Sequence, residues 1–166
     1  SIEQNETFGI GANGEMKNIS FGLFAAEEIV SASGTFIPAD GLIEIITLNE
    51  DGMATVKTDL PLGSYYVKEL ATDSHYILSD TKYPVVFEYA GQDTAVVKIA
   101  ANDGKAIEND LLYGSVSGKK VDEDGKPLAG AVIGLFRTDD GEFTKETALM
   151  TATSKEDGSF SFEGIP

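Results

Sequence analysis

Apolar and polar residues alternate along this chain in short runs, and the dominant period is two, the signature of strands with one buried face. The clearest runs are Ile19–Phe24, Leu42–Leu48, Ala54–Thr58, Ser64–Glu69, Val85–Tyr89, Thr94–Ala100, Leu112–Lys120, Ala131–Arg137, Ala148–Thr153 and Ser159–Glu163. Turn signals separate them: Ala12-Asn-Gly14, Glu50-Asp-Gly52, Ala90-Gly91, Asn102-Asp-Gly104, Glu123-Asp-Gly125, Asp140-Gly141 and Glu156-Asp-Gly158. Short strands at this spacing predict an all-β sandwich or barrel. Ala25-Ala-Glu-Glu-Ile-Val30 alone has helical character, and it is too short to hold a helix, so it reads as a strand end or a single turn. Asp73–Lys82 reads as a surface loop ahead of Pro84, which suits a strand start because proline has no N–H to donate.

The pattern also repeats. Gly130-Ala-Val-Ile-Gly-Leu-Phe136 lies over Asn18-Ile-Ser-Phe-Gly-Leu-Phe24, and Lys155-Glu-Asp-Gly-Ser159 lies over Asn49-Glu-Asp-Gly-Met53. With a slip of one residue, Phe162-Glu-Gly-Ile-Pro166 lies over Thr58-Asp-Leu-Pro61. The expected organisation is one complete unit over residues 1–113 and the front of a second copy over 114–166, a segment of a longer repetitive protein. The first unit is long enough to bury its own core, whereas the second has no cysteine to staple so short a length.

One strand places a charge where the alternation wants a hydrophobe. In Ser64-Tyr-Tyr-Val-Lys-Glu69, Tyr65, Val67 and Glu69 share one face and Tyr66 and Lys68 the other. If Tyr65 and Val67 face the core, so does Glu69, and a carboxylate there needs a partner or a proton.

Composition narrows the function. Eighteen acidic against six basic residues over 1–113, and ten against six over 114–166, make up the net charge of −16. No basic stripe with interleaved aromatics occurs, which argues against a nucleic-acid role. No segment is long and apolar enough to span a membrane. The absence of cysteine rules out disulfides and thiolate metal sites.

Gly114-Ser-Val-Ser-Gly-Lys-Lys-Val-Asp-Glu-Asp-Gly-Lys-Pro-Leu-Ala-Gly-Ala131, followed by Phe136, resembles the opening of a Cna B-type domain, the prealbumin-like module (SpaA-like) of Gram-positive pilins and adhesins. Gly63-Ser-Tyr-Tyr-Val-Lys-Glu69 resembles the E-box of that family, and Ile107-Glu-Asn109 its closing strand. The resemblance implies a prealbumin-like (Cna B-type, immunoglobulin-like) β-sandwich. In many members a first-strand lysine and a last-strand asparagine form an amide, assisted by the E-box glutamate. The amine must be deprotonated to displace ammonia from the carboxamide, so the site must be buried. It forms once per molecule, so the resemblance implies maturation rather than an enzyme with turnover.

Carried onto this chain, the resemblance places Lys120 at the bond-forming lysine of the second unit, and Glu69 and Asn109 at the glutamate and asparagine of the first. Aligning the copies on their glycine turns puts Gly9 where Lys120 sits, so the first unit lacks the matching lysine, with Lys17 the nearest substitute. No complete triad is expected within these residues.

Other signals are weaker. Asp122-Glu-Asp124-Gly125 has the look of a calcium loop, but Lys120 and Ala131 fall where acidic ligands belong, so a hairpin turn is expected. Asn5-Glu-Thr7 and Asn18-Ile-Ser20 match a glycosylation pattern with little meaning in a bacterial protein. His75 has no second histidine or cysteine with which to build a metal site. Tyr66, Tyr76, Tyr83 and Tyr89 could line up as a sugar-stacking platform or pack across strands. Neither a cofactor nor a metal is expected.

The expected function is a non-enzymatic structural or adhesive stalk repeat of an extracellular, cell-wall-anchored protein, a monomer whose partners are neighbouring repeats. The short turn from Leu111 to Ser115 favours a stiff rod. The rival is a glycan- or host-matrix-binding module built on the loops Val30–Gly41 and Ala71–Pro84.

Overall fold

The computed structural model describes residues 1–93, 97 and 99–166. Contacts group these into two compact units: Ser1–Gln4 with Ile10–Leu111, and Asn5–Gly9 with Leu112–Pro166.

The first unit is built on a four-stranded antiparallel sheet. Its strands are β1 (Ser20–Ala25), β4 (Leu42–Thr47), β5 (Gly63–Ala71) and β6 (Lys82–Phe87), in the spatial order β4-β1-β5-β6. Between β1 and β4 runs a small hairpin of β2 (Ile29–Val30) and β3 (Phe36–Ile37). The alternation of β1 aims Phe21, Leu23 and Ala25 inward, where they join Ile46 of β4, Tyr65 and Val67 of β5 and Val85 of β6 in the core. Ile2 and Ile107, from the segments that begin and close the unit, pack against this core. Those segments run parallel, bridged at Ile2 and Asn109, and Tyr76 bridges antiparallel to Leu111.

The second unit carries two antiparallel strand pairs. The strand β7 (Gly114–Lys119) pairs with β10 (Ser159–Ile165), and β8 (Val132–Leu135) pairs with β9 (Met150–Thr153), all antiparallel. Phe162 is buried, and Ser154 ties the pairs' connections by donating from Oγ to the Leu128 carbonyl (2.7 Å) while accepting from Ala131 N–H (3.0 Å).

The sequence pattern locates most strands and misplaces a few. Ala54–Thr58 forms no strand; Lys57 N–H and Thr58 N–H instead donate to the Glu44 carboxylate (3.1 and 2.9 Å). The candidate Thr94–Ala100 lies largely outside the described residues. Ala25–Val30 holds no helical turn; it ends β1 and then supplies β2. Single 3₁₀ turns appear instead at Glu15–Asn18 and Ala101–Gly104. The strand β6 begins at Lys82, so Pro84 sits inside it, opposite Tyr66, and is tolerated because β6 is the edge of the sheet among the described residues.

Candidate functional site

The sheet positions one buried polar cluster, and β5 supplies its centre. Glu69 lies on the inner face with Tyr65 and Val67, as the alternation predicts, and is only 1% exposed. Asn109, 3% exposed, reaches it from the closing segment: Asn109 Nδ2 donates to Glu69 Oε1 at 2.6 Å. The second carboxylate oxygen accepts from Ser79 N–H at 2.8 Å. Asn109 Nδ2 also lies 3.4 Å from Thr72 Oγ1. Glu69 makes no ion pair among the described residues; both its oxygens are met by N–H donors, the way a buried acceptor is satisfied without a counter-ion.

The backbone around Asn109 fixes its side chain. Its N–H donates to Ser1 C=O (3.1 Å) and its carbonyl accepts from Glu3 N–H (3.0 Å), so Ser1–Glu3 is the strand segment beside it. Glu3 Oε2 accepts from Leu111 N–H at 2.8 Å and extends the same clasp. Ile2, half-buried, is the residue bridged to Asn109.

This geometry differs from the glycine-turn alignment, which sets Gly9 at the position of the bond-forming lysine. Gly9 has φ +67 and belongs to a turn in the second unit's group, where a Cβ on it would lie 3.8 Å from Arg137 Nη2. The two disagree because the segment between Glu3 and Ile19 folds into turns, so matched glycines do not mark matched strands. Lys17 sits exposed in the 3₁₀ turn, its stem folded back toward Gly14. Lys120 is exposed, its Nζ donating to the adjacent Val121 carbonyl at 2.7 Å.

The segment Asp73–Lys82, expected as a surface loop, contributes more than its composition suggests. Tyr76 is 4% exposed, and its hydroxyl donates to Glu3 C=O at 2.9 Å while Ile77 N–H donates to Asp110 C=O at 3.0 Å. This places Ser79 to reach Glu69. The signal that could have found it is the Asx turn at Asp73, whose Oδ1 accepts from His75 N–H and thereby turns the next residue inward. His75 Nδ1 lies 2.6 Å from the same Asp73 oxygen, and Asn18 Nδ2 donates to the other at 2.6 Å. These hydrogen bonds, led by that from His75, hold the Asp73 carboxyl below the ordinary aspartate value.

The four tyrosines do not form a platform. Tyr66 lies on the outer sheet face, stacked on Phe24 with ring centroids 5.1 Å apart, and the Lys82 ammonium lies 4.3 Å from its ring centre. Tyr83 pairs with Val67 in the sheet, Tyr76 is buried, and Tyr89 is exposed beyond the end of β6. At Asp122–Gly125 the chain makes a hairpin turn, closed by Asp122 N–H to Lys126 C=O at 2.9 Å, and no cluster of potential metal ligands occurs among the described residues.

Comparison with known proteins places this arrangement. No curated protein matches the chain. Among solved structures, the Bacillus anthracis TIE protein shares the fold with a TM-score of 0.53 at 16% identity; the match covers 92% of this chain and 24% of that one. The chain thus spans about a quarter of that protein's length. The model of the SpaA prealbumin-like fold domain matches residues 10–105 and 114–166. The chain is nearly all β, and it belongs to the SpaA prealbumin-like fold domain family.

Proposed function

We propose that this chain is a stalk segment of a Gram-positive surface protein, in which prealbumin-like modules follow one another to hold another part of the protein away from the cell. The observation that carries this reading is the double family match on a single acidic chain: the same module occurs twice in succession. In this reading Glu69 and Asn109 are the retained half of an isopeptide motif, and Lys120 is the amine of the next one. The first unit then closes its strands non-covalently, through the buried Asn109–Glu69 hydrogen bond. Antibodies raised against the chain should label intact cells of the source and follow the wall fraction after muralytic digestion. Recovery only from the cytosol refutes the reading.

A second reading has one feature in its favour. The hairpin loop of the first unit borders an open groove of about 360 Å³, whose lining includes Ile37, Ile43 and Leu60 together with Ser31, Ser33 and Thr35. Hydroxyls beside apolar side chains suit a saccharide or an extended peptide. Glycan-array binding that is lost with Ile43→Asp supports this alternative; no binding leaves the stalk alone.

A further inference from the structure

Five of the chain's six asparagines are held by hydrogen bonds and followed by a residue that carries a side chain. Asn5 Oδ1 accepts from Phe8 N–H, Asn49 Oδ1 accepts from Asp51 and Met53 N–H, and Asn18 Nδ2 donates to Asp73. Asn102 Nδ2 donates to the carbonyls of Lys105 and Ala106, and Asn109 is buried against Glu69. Asn13 alone is followed by glycine.

Asn13 and Gly14 are exposed in the turns that lead from the opening segment to β1. Asn13 N–H donates to Glu15 Oε2 (2.7 Å) and Gly11 N–H to Glu15 Oε1 (2.9 Å), so one carboxylate holds the backbone on both sides of Ala12. Gly14 has φ +86, and its carbonyl accepts from Lys17 N–H at 3.0 Å. Its own N–H makes no hydrogen bond among the described residues. A Cβ on Gly14 would lie 3.9 Å from Lys17 Nζ, so the ammonium lies beside this glycine's backbone. With no side chain of its own, Gly14 leaves its nitrogen open to the asparagine that precedes it.

We propose that Asn13–Gly14 is a self-modification site, where the chain's own backbone converts the asparagine amide to an acid with water as the only co-reactant. The Gly14 nitrogen gives up its proton and attacks Asn13 Cγ, closing a five-membered imide. The Cγ–Nδ2 bond breaks, and Nδ2 leaves with the proton as ammonia. Water then opens one of the imide's C–N bonds. Opening at Cγ leaves aspartate; opening at the Asn13 main-chain carbonyl leaves isoaspartate, with the backbone running through Cγ and longer by a methylene. Negative charge develops on the Gly14 nitrogen as its proton departs, and the Lys17 ammonium stabilises it there.

The product sets a second carboxylate beside Glu15 and lengthens the backbone that Glu15 spans. Gly11 and Asn13 N–H then lose their common acceptor. Gly11 supports the opening segment: its carbonyl accepts from Gln4 Nε2 at 3.2 Å, and a Cβ on it would meet the Glu3 carbonyl at 2.8 Å. The modification therefore loosens the support of Ser1–Gln4. It is a property of the chain alone and does not rest on the stalk reading.

The test ages the whole chain at mildly alkaline pH and follows it by intact mass and by peptide mapping, with an isoaspartyl methyltransferase as the probe. The mass is expected to rise by the difference between an amide and an acid, with isoaspartate appearing at position 13 before any other asparagine changes. The Asp–Gly turns can close the same ring without altering the mass, so the mass assigns the change to an asparagine. Asn13→Gln, whose ring would have six members, stops the early rise. Lys17→Ala slows it about threefold in the folded chain and leaves the rate in urea unchanged, the scale of one exposed charge at this distance. In the aged chain the Gly11 and Asn13 amides exchange faster than in the fresh one. A mass rise that begins at another asparagine, or that persists in Asn13→Gln, overturns the proposal. Equal rates for the folded chain with and without Lys17→Ala overturn the role given to Lys17.

Discussion

Replacing Glu69 by alanine removes two short hydrogen bonds from a site that is almost wholly buried, those from Asn109 Nδ2 at 2.6 Å and Ser79 N–H at 2.8 Å. Each bond to a carboxylate contributes about 1.5–3 kcal/mol, and each donor left without an acceptor loses its hydration as well. Against this stands the relief of burying a polar group, itself about 1–3 kcal/mol. The balance is a loss of about 2–4 kcal/mol from the first unit. Five of the six tyrosines, residues 65, 66, 76, 83 and 89, lie in that unit, so intrinsic tyrosine fluorescence during urea unfolding reports on it selectively. For a unit of this size the loss corresponds to a fall in midpoint temperature of roughly 10–25 °C. Glu69→Gln keeps the shape and one acceptor but turns an amide N–H toward Ser79 N–H or Asn109, so its loss should be smaller and still measurable. A change below about 0.5 kcal/mol for Glu69→Ala would show that Glu69 is not held as described.

The remaining expectations are independent of that one. The intact mass of the chain should equal its sequence mass, because no lysine among the described residues reaches Asn109; in the variant Ile2→Lys a deficit of one ammonia is expected, whereas Gly9→Lys should show none, and the reverse result would restore the glycine-turn alignment. The carboxyls of Glu15, Glu44 and Asp73 are all held below their ordinary values, led by hydrogen bonds from Gly11 N–H, Thr58 and His75 respectively. Depressed folded-state values mean that the stability they contribute is complete above the ordinary values of 4.5 for glutamate and 3.8 for aspartate. It is lost as pH falls through the folded ones. Urea midpoints should therefore decline below about pH 4.5, and Asp73→Asn should flatten that decline. Gly158 has φ +79, and a Cβ there would collide with the Lys120 carbonyl. Gly158→Ala should cost the second unit roughly 1–3 kcal/mol, read by the exchange rates of the β7 and β10 amides.

Much of the first unit's sheet is legible in the sequence because alternation reports a face directly. The inward set of β1 and β5 follows from period two, and the same argument puts Glu69 in the core. What the pattern misses is local and has a common cause. Ile29–Val30 and Phe36–Ile37 are too short to show a period, so the first reads as a strand end or a single turn and the second as part of a loop. Tyr76 is buried through one aromatic ring in a polar segment, a contact that tertiary packing decides. The neighbour of Asn109 escapes the glycine-turn alignment because matching turns fixes register only when the intervening lengths are equal. Ser79 donates through its backbone, which no side-chain pattern can show.

The clasp at Asn109 has a mechanical consequence. Ser1–Glu3 and the closing segment run parallel, so tension drawn through the two ends of the first unit pulls the paired segments past each other along their length. Load is then shared at once by the Glu3 and Asn109 main-chain bonds, the Leu111–Glu3 contact and the Asn109–Glu69 bond, instead of opening them in turn. Shear of this kind makes the unit resist stretching more than its few strand-end contacts suggest.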